Sequence, residues 1–208
     1  MNALVTGSTG FIGRHLVAEL VRKGWDVFCL VRPESDVTKL VGLPVTFRRA
    51  SYDDPETVRG AVEGMNVVFH AGAVMGATDF GVFFKGNVLS TEVLAEACLA
   101  SAPRLEKFVY VSSIAAGGPS RAGRLKTEFD GSRPVSLYGK SKLMAEKKLR
   151  GYQGKLHVVS IRLPNVPGAG QKETSAVVAP VRSKLGDLSS ELLAEAGSRD
   201  SMTGQLPL

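Results

Sequence analysis

The sequence lacks the patterns that mark several common classes of protein. Its two cysteines, Cys29 and Cys98, are far apart in apolar surroundings and form no metal-binding or redox spacing. We therefore expect two buried, reduced thiols and no metal site. No apolar run is long enough to cross a bilayer, and the first residues lack the basic segment of a signal peptide. These absences predict a soluble, cytoplasmic protein with no membrane partner.

Positive charge is in excess, but the basic residues are not clustered. The formal net charge is +6, yet the basic residues are dispersed along the chain rather than collected in blocks. This distribution predicts no nucleic-acid partner and suits a small anionic ligand. With 208 residues, 44% of them hydrophobic, the chain is long enough for one α/β domain with some additional material.

Three glycines lie close together in one turn near the N-terminus. Residues 3–5 are an apolar run, residues 6–13 read TGSTGFIG, and apolar residues then recur at helical spacing. Such a turn between a strand and a helix lets backbone amides approach a pyrophosphate, and the helix N-terminus adds partial positive charge there. We assign the tight turn to Gly7, the close approach to Gly10 and the helix–strand packing to Gly13. Glycine turns also join ordinary elements, but this one opens a β-α-β unit.

The end of the second predicted strand, Asp26–Val31, bears on which dinucleotide would bind. An acidic residue at this position binds the ribose 2′-hydroxyl of NAD, whereas a nearby Arg accommodates the 2′-phosphate of NADP. In this chain Arg32 follows Val31. The sequence therefore favours NADP, with NAD as the alternative cofactor and an ordinary solvated charge as the alternative reading of Arg32.

The middle of the chain continues the alternation of strands and helices. We predict a third strand at 43–49, a helix that starts at Asp54 and Pro55, and a fourth strand at Val67–His70. A core role is favoured for His70 over a catalytic one, because no carboxylate or cysteine partner is near it in sequence. Three small residues follow this strand and would let the backbone lie close to a ligand: Ala71, Gly72 and Ala73.

Polar residues then appear where a site could form. A helix predicted over 80–100 contains Asn87, which is either exposed or bonded across the site. A fifth strand, 108–111, leads into Ser112 and Ser113 at the carboxyl edge of the sheet, where open α/β folds bind ligands. Serines at strand ends also cap turns.

The clearest chemical signal lies at the start of a helix predicted over 136–150, after a Gly/Ser/Arg-rich loop at 115–134. Tyr138 and Lys142 are four residues apart and share a helix face. A phenol with a pKa near about 10 is a poor proton carrier at neutral pH, and a nearby ammonium favours the phenolate. The pair is suited to proton transfer with a substrate hydroxyl. A Tyr packed at a helix start beside a solvated Lys is the commoner origin of this spacing.

These motifs occur in an order that resembles a known family. The glycine turn, Ser113 and YGKSK at 138–142 resemble the extended short-chain dehydrogenase/reductase family, also called the NAD-dependent epimerase/dehydratase family. Further motifs of that family are similar to NVLST at 87–91, MAE at 144–146 and RLPNV at 162–166. The resemblance runs to about residue 170 and implies a doubly wound parallel sheet, the NAD(P)-binding Rossmann fold.

The resemblance also implies roles for individual residues. Tyr138 would be the general acid/base, with its pKa lowered by Lys142, which would also bind the nicotinamide ribose. Ser113 would orient the substrate oxygen, and Asn87 would support the lysine. The other implied cofactor-binding residues are Gly7, Thr9, Gly10, Phe11, Ile12, Gly13, Arg32, Ser51, Tyr52, Ala71, Gly72, Ala73, Pro164 and Val166.

The chain departs from the family pattern in the middle and near the end. Ser51 stands where the family often has an acid that binds adenine, so we assign adenine recognition to Tyr52 and backbone groups. NVPG at 165–168 lacks the family's usual tyrosine. Family members normally continue into a smaller domain that shapes the substrate pocket, but we expect the resemblance to be lost from Gln171.

The C-terminal segment is expected to be short and loosely organised. No aromatic residue follows Tyr152, and aromatic side chains contribute much of the apolar area that cores bury. We therefore divide the chain into a dinucleotide-binding domain, 1–170, and a segment, 171–208, that holds one amphipathic helix at 184–196 and a loose tail. We therefore expect a truncated or altered C-terminus, which would leave the substrate region curtailed.

Three functions remain open on this basis. The first is an NADP-preferring oxidoreductase that acts on a secondary alcohol or ketone, of the dihydroflavonol-reductase or hydroxysteroid-dehydrogenase kind. The second is a sugar-nucleotide epimerase or dehydratase, which tends to hold NAD. The third is a non-catalytic NAD(P)-binding module, favoured by the curtailed C-terminus and disfavoured by the complete Ser-Tyr-Lys set. The family resemblance also implies a homodimer.

Overall fold

The structure, a computed structural model, describes residues 1–120, 123–166 and 168. Within these residues a single parallel sheet has the strand order β3-β2-β1-β4-β5-β6. The strands are β1 Asn2–Thr6, β2 Asp26–Val31, β3 Val45–Arg49, β4 Val67–His70, β5 Lys107–Ser113 and β6 Val158–Leu163. This order is that of the doubly wound Rossmann fold, in which the chain reverses direction across the sheet between β1 and β4. The fold class predicted from the sequence is confirmed.

Helices connect the strands and cover the sheet. They are α1 Phe11–Arg22, α2 Pro55–Val62, α3 Phe80–Phe83, α4 Ser90–Ser101, α5 Ile114–Gly117 and α6 Leu137–Arg150, with a 3-10 turn at Thr38–Leu40. The helix predicted over 80–100 is present, but its middle is a π-helical turn, Phe84–Leu89, that contains Asn87. Wide turns of this kind occur often at functional sites.

The predicted element boundaries hold closely, with one difference in capping. The bounds of β2 and β4 agree with the prediction, and Asp54 precedes the first residue of α2 as expected. The Asp54 side chain, however, makes no capping hydrogen bond. Instead the Thr57 hydroxyl donates to the Asp54 carbonyl at 2.7 Å. The predicted helix and tail within 171–208 lie outside the described residues.

The core consists of two apolar clusters. One includes Leu4, Phe108 and Cys98, and the other includes Val5, Val17 and Cys29. Cys29 and Cys98 are free and buried, as predicted. Burial raises the pKa of Cys29 to about 11 and that of Cys98 to about 12, so both thiols are protonated at neutral pH. No helix within the described residues is long and apolar enough to span a membrane.

Candidate active site

The glycine turn after β1 is built by close backbone contacts. Gly7 has φ +67°, and a Cβ there would lie 2.6 Å from the backbone nitrogen of Gly72. A Cβ at Gly13 would lie 2.1 Å from the Gly7 carbonyl oxygen, so α1 packs directly on the turn. Gly10 is exposed and would bring a Cβ only to 3.1 Å from the same oxygen. Positions 7 and 13 therefore require glycine for the fold itself, whereas a Cβ at the exposed position 10 would be tight but would need only a small shift of its neighbour.

The N-terminus of α1 presents an electropositive end at this turn. Gly10 caps the helix without a side-chain hydrogen bond, and no acidic residue lies in the first turn. The free amides and the helix dipole suit an anion there. Three residues of the predicted set lie partly exposed around this end: Thr9, Phe11 and Ile12.

The next strand end, at β2, is open to solvent. The Arg32 side chain is 70% exposed and its Nε lies 3.2 Å from a carboxylate oxygen of Glu34. The Arg32 backbone amide donates to the Ser35 hydroxyl at 3.1 Å, which fixes the turn after the strand. Glu34 did not enter the sequence prediction. It places an acid beside the arginine, so the strand end carries both the charge expected for NADP and a carboxylate that competes with it.

The residues after β3 are held by local bonds. The Ser51 hydroxyl accepts from the Asp53 amide at 3.2 Å. Tyr52 packs against the core, and its hydroxyl is buried. Burial raises the pKa of Tyr52, while its contact with Thr6 acts in the opposite direction. Only part of the Tyr52 ring is therefore left for an adenine contact, which stays a prediction.

The start of α6 lies directly against the segment that follows β5. The Ser136 hydroxyl caps α6 by accepting from the Gly139 amide at 3.0 Å. A Cβ at Gly139 would lie 2.3 Å from the Ala115 carbonyl oxygen, so only glycine permits this approach. The approach brings Tyr138 toward Ser113, whose side chain acts to lower the pKa of the phenol. Ser113, rather than Ser112, is the serine that meets the tyrosine.

The ionisation of Tyr138 differs from the expectation. Burial raises its pKa, and the hydrogen bond with Ser113 only partly offsets this. The expected lowering of the Tyr138 pKa by Lys142 is therefore wrong for this structure. The reason is geometric: Lys142 Nζ donates to the Val111 carbonyl at 2.7 Å and lies 4.1 Å from the centre of the Tyr110 ring.

Lys142 is one of the largest fully buried side chains among the described residues, with 1% exposure. Burial lowers its pKa to about 7, and the nearby Glu146 carboxylate acts in the opposite direction. A lysine in this state changes charge close to neutral pH. It was predicted as a site residue from its spacing alone, and the structure shows that it is enclosed rather than solvated.

Asn87 is also buried, so the reading of it as an exposed polar residue is excluded. Its Oδ1 accepts from the Val74 amide at 2.7 Å, and its Nδ2 donates to the Val74 carbonyl at 3.0 Å. Nδ2 also donates to the Ser141 hydroxyl at 2.9 Å, which in turn donates to the Tyr138 carbonyl at 2.8 Å. Asn87 therefore holds the first turn of α6 through Ser141, next to Lys142 in the chain.

A partly buried ion pair, in which the Arg162 side chain is 29% and the Glu146 side chain 6% exposed, was not predicted. The Glu146 carboxylate accepts from Arg162 Nη2 at 2.6 Å and from the Ser112 hydroxyl at 2.6 Å. Burial alone would raise the pKa of Glu146, but these bonds outweigh it and the pKa is lowered. Arg162 Nη2 also donates to the Ser132 hydroxyl at 2.9 Å, which fixes the loop before α6. No local signal in the sequence pairs Glu146 with Arg162, because the two residues are 16 positions apart.

His70 lies in the core, as the sequence favoured. Its Nδ1 is 2.6 Å from the Thr6 hydroxyl and its Nε2 is 2.9 Å from the Thr91 hydroxyl. Burial lowers the pKa of His70 to about 3, with Lys142 acting in the same direction. The imidazole is neutral at physiological pH.

The remaining predicted residues follow strand ends at the same edge of the sheet. Ala71 and Gly72 are partly buried after β4, and Ala73 is exposed. After β6, Pro164 is exposed and Val166 is partly buried. Parallel strands end together, so these segments share an edge with the glycine turn. No group of metal-ligating side chains occurs in the part of the chain that the structure describes.

The fold is a doubly wound α/β fold, and a buried lysine, Lys142, lies near the carboxyl edge of its sheet. A model of the NAD dependent epimerase/dehydratase family matches residues 3–199, and the chain belongs to this family. The match continues well past residue 170, so the expectation that the resemblance is lost from Gln171 is wrong.

Individual relatives differ in activity. The chain is 28% identical to a decarboxylating sterol-4-alpha-carboxylate 3-dehydrogenase of Dictyostelium discoideum, over 81% of this chain and 54% of the relative. It is 32% identical to a dTDP-6-deoxy-L-talose 4-dehydrogenase (NAD(P)(+)) of Kitasatospora kifunensis, over 98% and 61%. The UDP-glucose 4-epimerase of Thermus thermophilus, solved in complex with NAD, matches with a TM-score of 0.76 and 32% identity, over 85% and 59%. The chain thus spans about half the length of the curated relatives it matches.

Proposed function

We propose that this chain binds NADP in preference to NAD and transfers hydride between the nicotinamide and a secondary alcohol or ketone. The observation that carries the proposal is the close approach of α6 at Gly139 to the Ala115 carbonyl, at the carboxyl edge of the sheet. This approach brings Tyr138 toward Ser113, which acts to lower the pKa of the phenol. Binding alone needs no phenol held against a hydroxyl. A proton transfer to a substrate oxygen needs both.

The residues present suit a dinucleotide. Gly7 and Gly13 shape the turn, and Gly10 leaves the amides at the start of α1 open to a pyrophosphate. Ala71, Gly72 and Ala73 offer a backbone edge without large side chains. Lys142 and the segment of Pro164 and Val166 would hold the nicotinamide half. When bound, the cofactor supplies or accepts the hydride, and the protein positions it.

Tyr138 and Ser113 would act together on the substrate oxygen. In ketone reduction the carbonyl carbon gains a hydride and its oxygen gains a proton, which the Tyr138 hydroxyl donates. Because burial raises the pKa of Tyr138, the phenol is protonated at neutral pH, which is the form that reduction uses. Ser113 would donate to the same oxygen and orient it, while Asn87 keeps α6 in place through Ser141.

The preference for NADP depends on the open end of β2. Arg32 is exposed there and can reach a phosphate, while no acid occupies the strand end itself. Glu34 opposes this preference, since its carboxylate already pairs with the Arg32 guanidinium. We therefore propose a moderate preference rather than exclusion of NAD.

The test is a titration of the full chain with NADPH and NADH, followed by turnover with a panel of ketones. Oxidation of NADPH that depends on the ketone, with NADPH bound more tightly than NADH, is the expected result. Binding without turnover on any member of the panel would favour a non-catalytic module. Absence of binding to either cofactor would overturn the proposal.

A sugar-nucleotide epimerase is the second candidate, and the match to the Thermus thermophilus epimerase supports it. Such a reaction consumes no net cofactor, because hydride returns to the same substrate. Incubation with UDP-glucose and catalytic NAD separates the candidates. Formation of an epimeric sugar nucleotide without net NADH would replace the oxidoreductase proposal.

A further inference from the structure

One buried titratable group has no part in the proposed chemistry. His70 is 1% exposed, lies between β1 and α4, and is hydrogen-bonded at both ring nitrogens. One partner, Thr6, is the last residue of β1 and directly precedes Gly7 of the glycine turn. The other, Thr91, follows the π-helical turn that carries Asn87. The imidazole therefore bridges the element that would hold the pyrophosphate and the element that holds the catalytic helix.

The direction of each hydrogen bond follows from the donors available. The Thr91 hydroxyl has one proton and donates it to the Asn87 carbonyl at 2.7 Å, so it can only accept from His70. His70 Nε2 must then carry the proton. Since the imidazole is neutral, Nδ1 is an acceptor, and the Thr6 hydroxyl donates to it.

The chain of bonds extends at both ends without a conflict. The Thr6 hydroxyl, which donates to His70, accepts from the Gly72 amide at 3.2 Å. At the other end the Asn87 side chain donates to Ser141, which donates to the Tyr138 carbonyl. Every link runs between buried or partly buried groups. At Asn87 the bonds are joined through the residue itself, because Thr91 donates to its main-chain carbonyl and Ser141 accepts from its side chain. In such surroundings an unpaired member is costly.

We propose that His70 is a positioning residue that couples the phosphate-binding turn to the first turn of the tyrosine helix, through Thr6 on one side and Thr91 with Asn87 on the other. The proposal rests on the proposed function for its cofactor and its turnover. It adds that a single tautomer of the His70 imidazole fixes the distance between the phosphate-binding turn and the first turn of α6. Nδ1 bonds to Thr6 and Nε2 bonds to Thr91, so substitutions can remove one of these bonds and keep the other.

Two substitutions divide the bridge. His70→Asn keeps an acceptor near the Nδ1 position, toward Thr6, and loses the donor to Thr91; His70→Gln keeps an amide donor near the Nε2 position and loses the acceptor. We expect His70→Asn to lower kcat by about 3- to 10-fold with NADPH affinity nearly unchanged, and His70→Gln to weaken NADPH binding by about 3- to 10-fold. His157→Asn and His157→Gln, at an exposed histidine, are the matched controls.

A purely structural role predicts another result. Both variants would then lower stability and change NADPH affinity and kcat together, and this would overturn the coupling. NADPH affinity is measured by fluorescence, and thermal unfolding is recorded for each variant. If both variants fail to fold, Thr91→Ser, which keeps the hydroxyl, and Thr91→Val, which removes it, give the same comparison: only Thr91→Val should lower kcat. Equal kcat in these two would overturn the proposal.

The imidazole itself provides a readout that needs no cofactor. The chain has three histidines, so the ¹⁵N signals of His70 are assigned by their loss in His70→Asn. We expect a neutral ring with the proton on Nε2 and no titration between about pH 5 and pH 8. The other tautomer, or a titration in that range, would overturn the bridge. A wild type with the expected spectrum that binds no NADPH would instead overturn the proposed function.

Discussion

The two basic side chains assigned to the cofactor lie in opposite surroundings. Lys142 is 1% exposed and is held by the Val111 carbonyl and the Tyr110 ring. The Arg32 side chain is 70% exposed and pairs with Glu34 at the surface. Buried polar groups are restrained by the cost of leaving them unpaired, whereas an exposed ion pair contributes only about 0 to 1 kcal/mol.

This contrast separates two kinds of control over function. At the Lys142 end, positions are set by packing and by bonds that cannot be broken cheaply, so a substitution there should act on the chemistry or on the fold. At the Arg32 end, the groups can rearrange, so a substitution should shift cofactor preference by a modest amount. The comparison fails if the two ends respond equally.

The largest effect is expected at the proton carrier. Tyr138→Phe should lower turnover by about 10² to 10⁴-fold, because the hydroxyl that meets Ser113 is lost. Cofactor affinity should change little, since the ring and its packing remain. Steady-state kinetics and NADPH titration measure the two quantities. Tyr152→Phe, which removes a phenol bonded to Glu96 at the surface, is the matched control, and unchanged turnover in Tyr138→Phe would remove Tyr138 from the mechanism.

The partly buried ion pair should dominate stability. Arg162→Met leaves the Glu146 carboxylate without its bidentate partner and should lower the free energy of unfolding by about 3 kcal/mol at neutral pH. The folded pKa of Glu146 is lowered in the wild type, so its stabilisation exists above the unfolded pKa and is lost as the pH falls. The difference from wild type should therefore shrink toward about pH 4.

An exposed pair offers the matched control for that measurement. Lys148→Met breaks the bond to Glu92, a pair with side chains 46% and 23% exposed, and should cost at most about 1 kcal/mol. Urea unfolding at several pH values measures both variants. A loss in Lys148→Met as large as that in Arg162→Met would mean that burial does not decide the strength of these pairs.

The sequence allowed the scaffold to be predicted because its signals are local. The glycine turn, the strand Asp26–Val31 and the Tyr138–Lys142 spacing each depend on neighbouring residues, and the doubly wound parallel sheet was implied by the family resemblance. Gly13 illustrates the strength of such a signal. A Cβ there would overlap the Gly7 carbonyl, so the glycine is required by sterics.

The features of the site that could not be predicted from the sequence depend on contacts between distant residues and on burial. Glu146 and Arg162 were visible as letters of a motif, but their mutual bond joins residues 16 positions apart. The raised pKa of Tyr138 could not be predicted from its spacing to Lys142, because it follows from enclosure and from the bond that the lysine makes to Val111 instead. Glu34 was missed because an exposed charge two residues after Arg32 carries no periodic signal.

The charge of Lys142 should appear in the pH dependence of stability. Its folded pKa is lowered to about 7 from 10.5, so between these values the unfolded chain binds one more proton. Stability contributed by this group should therefore rise with pH, by at most about 1.4 kcal/mol per pH unit. Unfolding of wild type and Lys142→Met between about pH 7 and pH 9 gives the difference, in which other groups cancel. A difference independent of pH would show that Lys142 stays charged in the fold.

A smaller effect is expected at the exposed arginine. Arg32→Ala should weaken NADPH more than NADH, by roughly 1 to 3 kcal/mol if a charged hydrogen bond to the 2′-phosphate is lost. Isothermal titration with both cofactors measures the difference. Arg22→Ala removes a comparable exposed arginine, paired with Glu19 on α1, and should change neither affinity. Equal losses of affinity for NADPH and NADH would show that Arg32 does not contribute to cofactor preference.

The smallest effect tests whether Glu34 restrains the arginine. Glu34→Gln removes the carboxylate that lies 3.2 Å from Arg32 Nε, so the guanidinium no longer has to leave an ion pair before it meets a phosphate. NADPH should bind more tightly by about 0.2 to 1 kcal/mol, with NADH nearly unchanged. Because the pair is exposed, the gain should disappear at high salt. A loss of NADH affinity instead would assign Glu34 to the ribose hydroxyl, and the preference at this end of the site would then be for NAD.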